Sequence, residues 1–258
     1  MHVLIRGLLD VLFPPRCQAC GRLRRDPICP ECRAGVLMVG PPLCAVCGQP
    51  FDPSAQGAPD CADCREAKGR PYSVARSAAS YEGPLVPLIW EFKYGCQMVL
   101  AGPLGMVMVE ALAAGAADLE PASLDVVCPV PLHRSRLHER GFNQSRLLAE
   151  PVAAAIGKPV AELLERTRPT RPQVDLPRES RAANVRGAFA ARAEAEVTGR
   201  RVLLVDDLFT TGSTIGECVR ALQRAGAAEV RVFTLARPVP LWRRPAVDAR
   251  DAQEMQAV

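Results

Sequence analysis

The chain is poor in several things that would each have pointed to a function. None of its segments approaches the roughly 18 consecutive apolar residues a helix needs to cross a bilayer, so no membrane insertion is expected. Met1 to Phe13 is apolar but is interrupted by Arg6, Gly7 and Asp10. No basic region precedes it and no small-residue cleavage site follows, so it reads as a short amphipathic helix rather than a secretory leader, and the chain as cytoplasmic. There is no G-x-x-x-x-G-K-[ST] phosphate loop, because the one Gly-Lys pair, Gly157-Lys158, runs into Pro159. Lysine is nearly absent: only Lys68, Lys93 and Lys158 stand among 32 basic residues, a bias that coding composition explains as well as function does. Aromatics make up 5% of the chain, and its basic segments hold only Phe142 and Phe189, which leaves few platforms for stacking bases.

Cysteine is abundant. Of 11 cysteines, eight lie within residues 17–64 as four CxxC pairs: Cys17/Cys20, Cys29/Cys32, Cys44/Cys47 and Cys61/Cys64. A CxxC pair can place two thiolates on one tetrahedral zinc, and two pairs complete a closed structural site. In a reducing compartment such pairs hold metal rather than form disulfides. Glycine follows two of them (Gly21, Gly48), which suits a tight knuckle. The simplest division is two consecutive ribbons, 17–32 and 44–64, although a cross-braced pairing fits the same spacing. Cys96, Cys128 and Cys218 read as buried bystanders. Residues 1–70 carry nine basic and seven acidic side chains, with Arg22, Arg24 and Arg25 clustered. On that balance a structural or protein-contact role stands level with nucleic-acid binding.

A chain of 258 residues suits one ordinary domain plus a small one. The expected division is a zinc-held module over 1–70, an α/β domain over 71–238 and a loosely ordered tail over 239–258. In the middle part, helical patterns cover 85–92, 98–114, 143–156 (with Pro151 as a kink) and 213–225. Strand patterns cover 124–130, 160–164, 201–205 and 229–235. Their alternation implies a parallel sheet with helices on both faces and ligands at the carboxyl ends of the strands.

Thirteen residues, Val202 to Thr214, read VLLVDDLFTTGST. The aliphatic run suits a strand buried on both faces. Asp206 and Asp207 follow, then Thr210, Thr211, Gly212, Ser213 and Thr214 lead into a helix. Unpaired N–H groups at a helix start carry positive partial charge and hold phosphate, with hydroxyls as added donors. The same strand could be read as a Walker B strand, but no phosphate loop precedes it. Read as the first strand of a receiver domain, it would leave only about fifty residues after it, too few for a domain of typical size. As an ordinary strand end, two adjacent aspartates would repel without a ligand.

The stretch resembles the phosphoribosyl pyrophosphate (PRPP) loop of type I phosphoribosyltransferases. That resemblance implies Asp206 and Asp207 on the ribose hydroxyls, residues 210–214 on the 5′-phosphate, and Mg²⁺ bound with PRPP; the family often has glycine where this chain has Ser213. A pyrophosphate partner is then needed. Candidates are His133, Arg134, Arg136 and Arg140 in one strand-to-helix loop. A second, longer loop (166–192, seven arginines against two acids) offers Arg166, Arg168 and Arg181.

RGFNQ at 140–144, PVPLH at 129–133, NVRGAF at 184–189, EFKY at 91–94 and the CxxC start after LFPPR resemble the ComF-type proteins of natural competence. The likeness runs from about residue 8 to about residue 238. It implies an N-terminal zinc domain joined to a phosphoribosyltransferase domain, and a role in handling incoming single-stranded DNA. Two expectations follow. One is a PRPP-binding, phosphoribosyl-transferring protein; the other is a non-catalytic protein that keeps the fold and binds single-stranded DNA or a competence helicase.

Overall fold

The computed structural model describes residues 14–51, 60–66, 69–170 and 177–239. The expected N-terminal helix (1–13) and almost all of the expected tail lie outside them.

Four strands form one parallel sheet: β1 (Ala75–Ser80), β2 (Val126–Pro129), β5 (Arg201–Leu208) and β6 (Glu229–Arg237), in the order β1-β6-β5-β2. Two short strands, β3 (Leu164–Arg166) and β4 (Phe189–Ala191), pair separately as an antiparallel hairpin. The helices are α1 (Pro30–Ala34), α2 (Ala62–Glu66), α3 (Leu85–Lys93), α4 (Ala101–Ala114), α5 (Arg134–Arg140), α6 (Gln144–Ile156), α7 (Arg178–Val185) and α8 (Ser213–Arg224).

The sheet is buried on both faces because its strands are apolar on both. In β5, Leu203 and Val205 point into one core while Val202 and Leu204 point into the other. In β6, Phe233 and Leu235 face the first core, Val230 and Val232 the second. The period of two thus feeds two cores from one run of residues, and each fully buried aliphatic contributes about 1.5–3 kcal/mol. The first core is closed by α3, α4 and α6, the second by α8 and the β3–β4 hairpin.

The ribbons are docked onto this sheet at its β1 edge. Ile28 of the first ribbon enters the first core, whereas Cys44, Cys47 and Cys64 of the second enter the other. The connecting segment pairs antiparallel with β1 (Val39 N–H to Ala78 O, 2.9 Å; Ser80 N–H to Leu37 O, 2.7 Å), and Ala75 N–H bonds Val46 O at 2.8 Å. An open sheet edge is thereby covered. Buried Arg76 of β1 donates to the carbonyls of Cys44 (3.3 Å) and Ala45 (3.0 Å), and Arg237 of β6 donates to that of Cys47. Gly48, at φ +67°, has no alternative, since a Cβ there would lie 2.6 Å from Ala75 O.

Several sequence expectations change. Residues 160–164 do not form a strand of their own: Val160 makes a single bridge to Val127, and the strand proper starts at Leu164 in the hairpin. The basic loop after β2 contains a helix, α5. The helix expected over 143–156 is found as α6 with Pro151 inside it; the proline ring fills the space left by Gly105 of α4. Cys96 is exposed, at φ +54°, while Cys128 and Cys218 are buried as expected.

Candidate functional site

A cleft of roughly 1740 Å³ opens at the carboxyl ends of β2, β5 and β6. Its floor is the end of β5. Asp206 and Asp207 are 7% and 4% exposed there, and both line the cleft. Asp206 Oδ1 accepts two hydrogen bonds, from Ser145 Oγ (2.8 Å) and from the N–H of Asp207 (2.9 Å). Asp207 Oδ1 is paired with Lys93 Nζ at 2.7 Å, while its Oδ2 is buried without a partner. Burial, and then the neighbouring Asp207, push the Asp206 carboxyl up to about 7, against the opposing pull of Lys93 and the two hydrogen bonds.

The chain then turns through Phe209 to Gly212, which enters α8 in the left-handed conformation (φ +74°). Phe209 packs beneath the turn, its ring edge 3.0 Å from where a Gly212 Cβ would stand. Thr211 and Ser213 hydroxyls bond each other at 2.8 Å. Thr210, Thr211 and Thr214 line the cleft at the helix start, whereas Gly212 and Ser213 shape the turn behind them.

The opposite wall is basic. His133 caps α5, its Nδ1 accepting from Ser135 N–H at 3.3 Å. Arg136 lines the cleft and pairs with Glu139 at 3.2 Å. Arg140 bonds Gln144 Oε1 (2.7 Å) and lies 5.4 Å over the Tyr94 ring. Arg166 and Arg181 line the cleft from the hairpin and α7. Arg166 stacks on Phe189 at 5.3 Å, and burial lowers its guanidinium pKa. The remaining two predicted arginines are not brought in. Arg134 is exposed and does not line the cleft, and Arg168 donates to the carbonyls of Asn184 (3.2 Å) and Arg186 (2.7 Å), capping α7.

Four contributors were missed from sequence. Lys93, Trp90 and Tyr94 sit on or just after α3, inside or beside the EFKY segment, with Trp90 55% and Tyr94 44% exposed and their rings 5.6 Å apart. Ser145 directly follows RGFNQ, and the motif explains itself once folded. Phe142 packs on Phe92 (5.4 Å), Asn143 caps α6 and bonds Val130 O (3.1 Å), Gln144 anchors Arg140, and Ser145 reaches Asp206.

The second ribbon forms one end of the cleft through Cys47 and Cys61. All eight cysteines gather as two groups, Cys17/Cys20/Cys29/Cys32 and Cys44/Cys47/Cys61/Cys64, with each group's sulfurs within 4.8 Å of one another. The pairing is consecutive, not cross-braced. Cys20–Cys29 and Cys47–Cys61 sulfurs are 3.8 and 3.6 Å apart. Tetrahedral zinc with bonds of about 2.3 Å requires about 3.8 Å, so both groups fit Zn²⁺. N–H groups of Cys29 and Cys61 point at Cys17 and Cys44 Sγ (3.3 Å each), as thiolate ligands favour. No helix among the described residues is long and apolar enough to cross a membrane.

Comparison with known proteins agrees with this architecture. A double zinc ribbon domain matches residues 8–65, and a phosphoribosyl transferase domain matches residues 143–254. The chain is 35% identical over 196 residues to the DNA utilization protein YhgH of Escherichia coli, covering 76% of this chain and 84% of that one. It is 30% identical over 230 residues to competence protein F of Haemophilus influenzae (87% and 98%). It is 25% identical over 218 residues to competence protein ComFC of Bacillus subtilis (82% and 85%). With both domain types in one chain and these relatives spanning most of its length, the protein belongs to the ComF/YhgH family of competence and DNA utilization proteins.

Proposed function

We propose that the cleft binds PRPP with Mg²⁺ and supports phosphoribosyl transfer with release of pyrophosphate. One observation carries the reading: a buried acidic pair at the cleft floor lies between a hydroxyl-lined helix start and a wall of arginines. Asp206 and Asp207 take the ribose hydroxyls. Residues 210–214 take the 5′-phosphate, Thr210, Thr211 and Thr214 as donors and Gly212 and Ser213 as the frame of the turn. His133, Arg136 and Arg140 face the leaving pyrophosphate, and Arg166 and Arg181 approach it from the other side. Mg²⁺, when bound with PRPP, would supply charge neutralisation to the leaving group. The second ribbon of the 1–70 module acts as an end wall of the cleft, and the 71–238 part as its body. The test is Asp206→Asn with Asp207→Asn. We expect calorimetry to show Mg²⁺-dependent PRPP binding lost with the circular dichroism and Tm retained; unchanged binding sinks the assignment.

A second reading, single-stranded DNA binding, is favoured by one specific feature. Trp90 and Tyr94 stand side by side on the cleft rim, their rings tilted by 48°, with Arg140 over Tyr94, exposed aromatic faces suited to unpaired bases. Trp90→Ala is then expected to weaken oligonucleotide binding by about 5–150-fold, the equivalent of the 1–3 kcal/mol that stacking contributes per base, without altering its salt slope.

A further inference from the structure

Neither oxygen of Asp207 is open to a ligand in this structure. Oδ1 is covered by Lys93 Nζ at 2.7 Å, and Oδ2 is buried without a hydrogen-bond partner. The two side chains are 5% and 15% exposed. Asp206 is equally committed at Oδ1, which holds Ser145 and the Asp207 N–H. A ribose diol or a divalent cation therefore cannot engage Asp207 Oδ1 while the lysine stays where it is.

We propose that Lys93 is an intramolecular counter-cation that keeps the acidic pair closed, and that it leaves Asp207 when a ligand carrying a vicinal diol and a divalent cation enters. The proposal rests on the reading of the site as a sugar-phosphate cleft. One ammonium faces two carboxylates, so the pair is held in the absence of ligand but not saturated. The unpartnered Oδ2 keeps a hydrogen-bonding capacity that the lysine does not meet. Lys93 is suited to yielding: it ends α3, and its flexible four-carbon stem can rotate without moving the helix. Its neighbours on the cleft rim, Trp90 and Tyr94, place that rotation beside the mouth of the cleft. Lys93 is in this account a positioning residue, acting through Asp207.

The first test uses Mn²⁺ alone, counted by electron paramagnetic resonance. Lys93→Met, or Lys93→Gln if the first folds poorly, is expected to bind Mn²⁺ at least tenfold more tightly than the parent protein, and adding Asp207→Asn should abolish the gain. Equal Mn²⁺ affinity in parent and variant overturns the proposal. The second test needs no variant, because the chain has only three lysines. In amine-acetylation footprinting read by mass spectrometry, Lys93 should label slowly. It should then rise at least threefold relative to Lys158 when Mg²⁺ and PRPP are added. Unchanged or slower labelling in a sample where calorimetry records bound PRPP also overturns it. If PRPP does not bind at all, the sugar-phosphate reading falls, and the Mn²⁺ measurement still decides the role of Lys93.

Discussion

Two carboxylates share one lysine at the cleft floor, and the imbalance falls on Asp206. In an unfolded chain an aspartate titrates near 3.9, whereas here burial and Asp207 hold Asp206 at about 7. The folded form thus binds the proton more tightly than the unfolded one. This group's contribution to stability is present in full below about 4, is lost as pH rises towards 7, and does not change further above it. Ligand binding has the opposite sign, because hydroxyl donors and cations engage the ionised form. We expect PRPP affinity in Mg²⁺ to rise with pH and level off above about 7. At pH 6, up to about one proton should be released per ligand bound, visible as a buffer-dependent heat in calorimetry. With Asp206→Asn that buffer dependence should vanish. The two aspartates were legible in sequence because they follow directly on a buried strand. Lys93 was not, for its partner lies more than a hundred residues further along and only the fold makes them neighbours.

Where α4 and α6 cross, a proline ring sits over a glycine. A Cβ on Gly105 would lie 2.4 Å from Pro151 Cγ, so the two helices approach as closely as they do only with glycine there. Gly105→Ala should gain about 1 kcal/mol of helix propensity and lose more to overpacking. The expected net destabilisation is about 1–2 kcal/mol in urea unfolding, relieved when Pro151→Ala is added. Elements with this much apolar surface were the ones visible in sequence: the patterns of β5, β6, α6 and α8 each announce a buried face. β1 was not seen, because Ala75–Ser80 holds only small residues and an arginine; it is a strand by virtue of what covers it. α5 was hidden for the opposite reason, since it buries no residue and its arginines read as loop. The β3–β4 hairpin joins segments more than twenty residues apart, beyond the reach of local periodicity.

Across the whole molecule, the second ribbon and the turn before α8 are joined by one side chain. Arg237, 3% exposed, donates to Cys47 O and Gln49 Oε1 and lies 5.1 Å over Phe209, which supports Gly212. Arg237→Met is expected to cost about 1–3 kcal/mol of stability, because the Cys47 carbonyl loses a buried donor. A chelator challenge should then release one zinc per chain faster than in the parent protein and leave the other unaffected, as a metallochromic dye would record. The same arrangement bears on the order in which the chain is made. β6 lies between β1 and β5 in the sheet yet is the last strand in sequence among the described residues, and Arg237 is its final residue. The ribbon cysteines precede the sheet in sequence and can take up zinc before it is complete, but the other side of β1 has no strand partner until residues 229–237 arrive. A chain stopping before Glu229 therefore has β1 on one side of a gap and the β2–β5 pair on the other. The sheet is thus complete only when β6 stands between β1 and β5, and without it the facing edges of both are open to other strands.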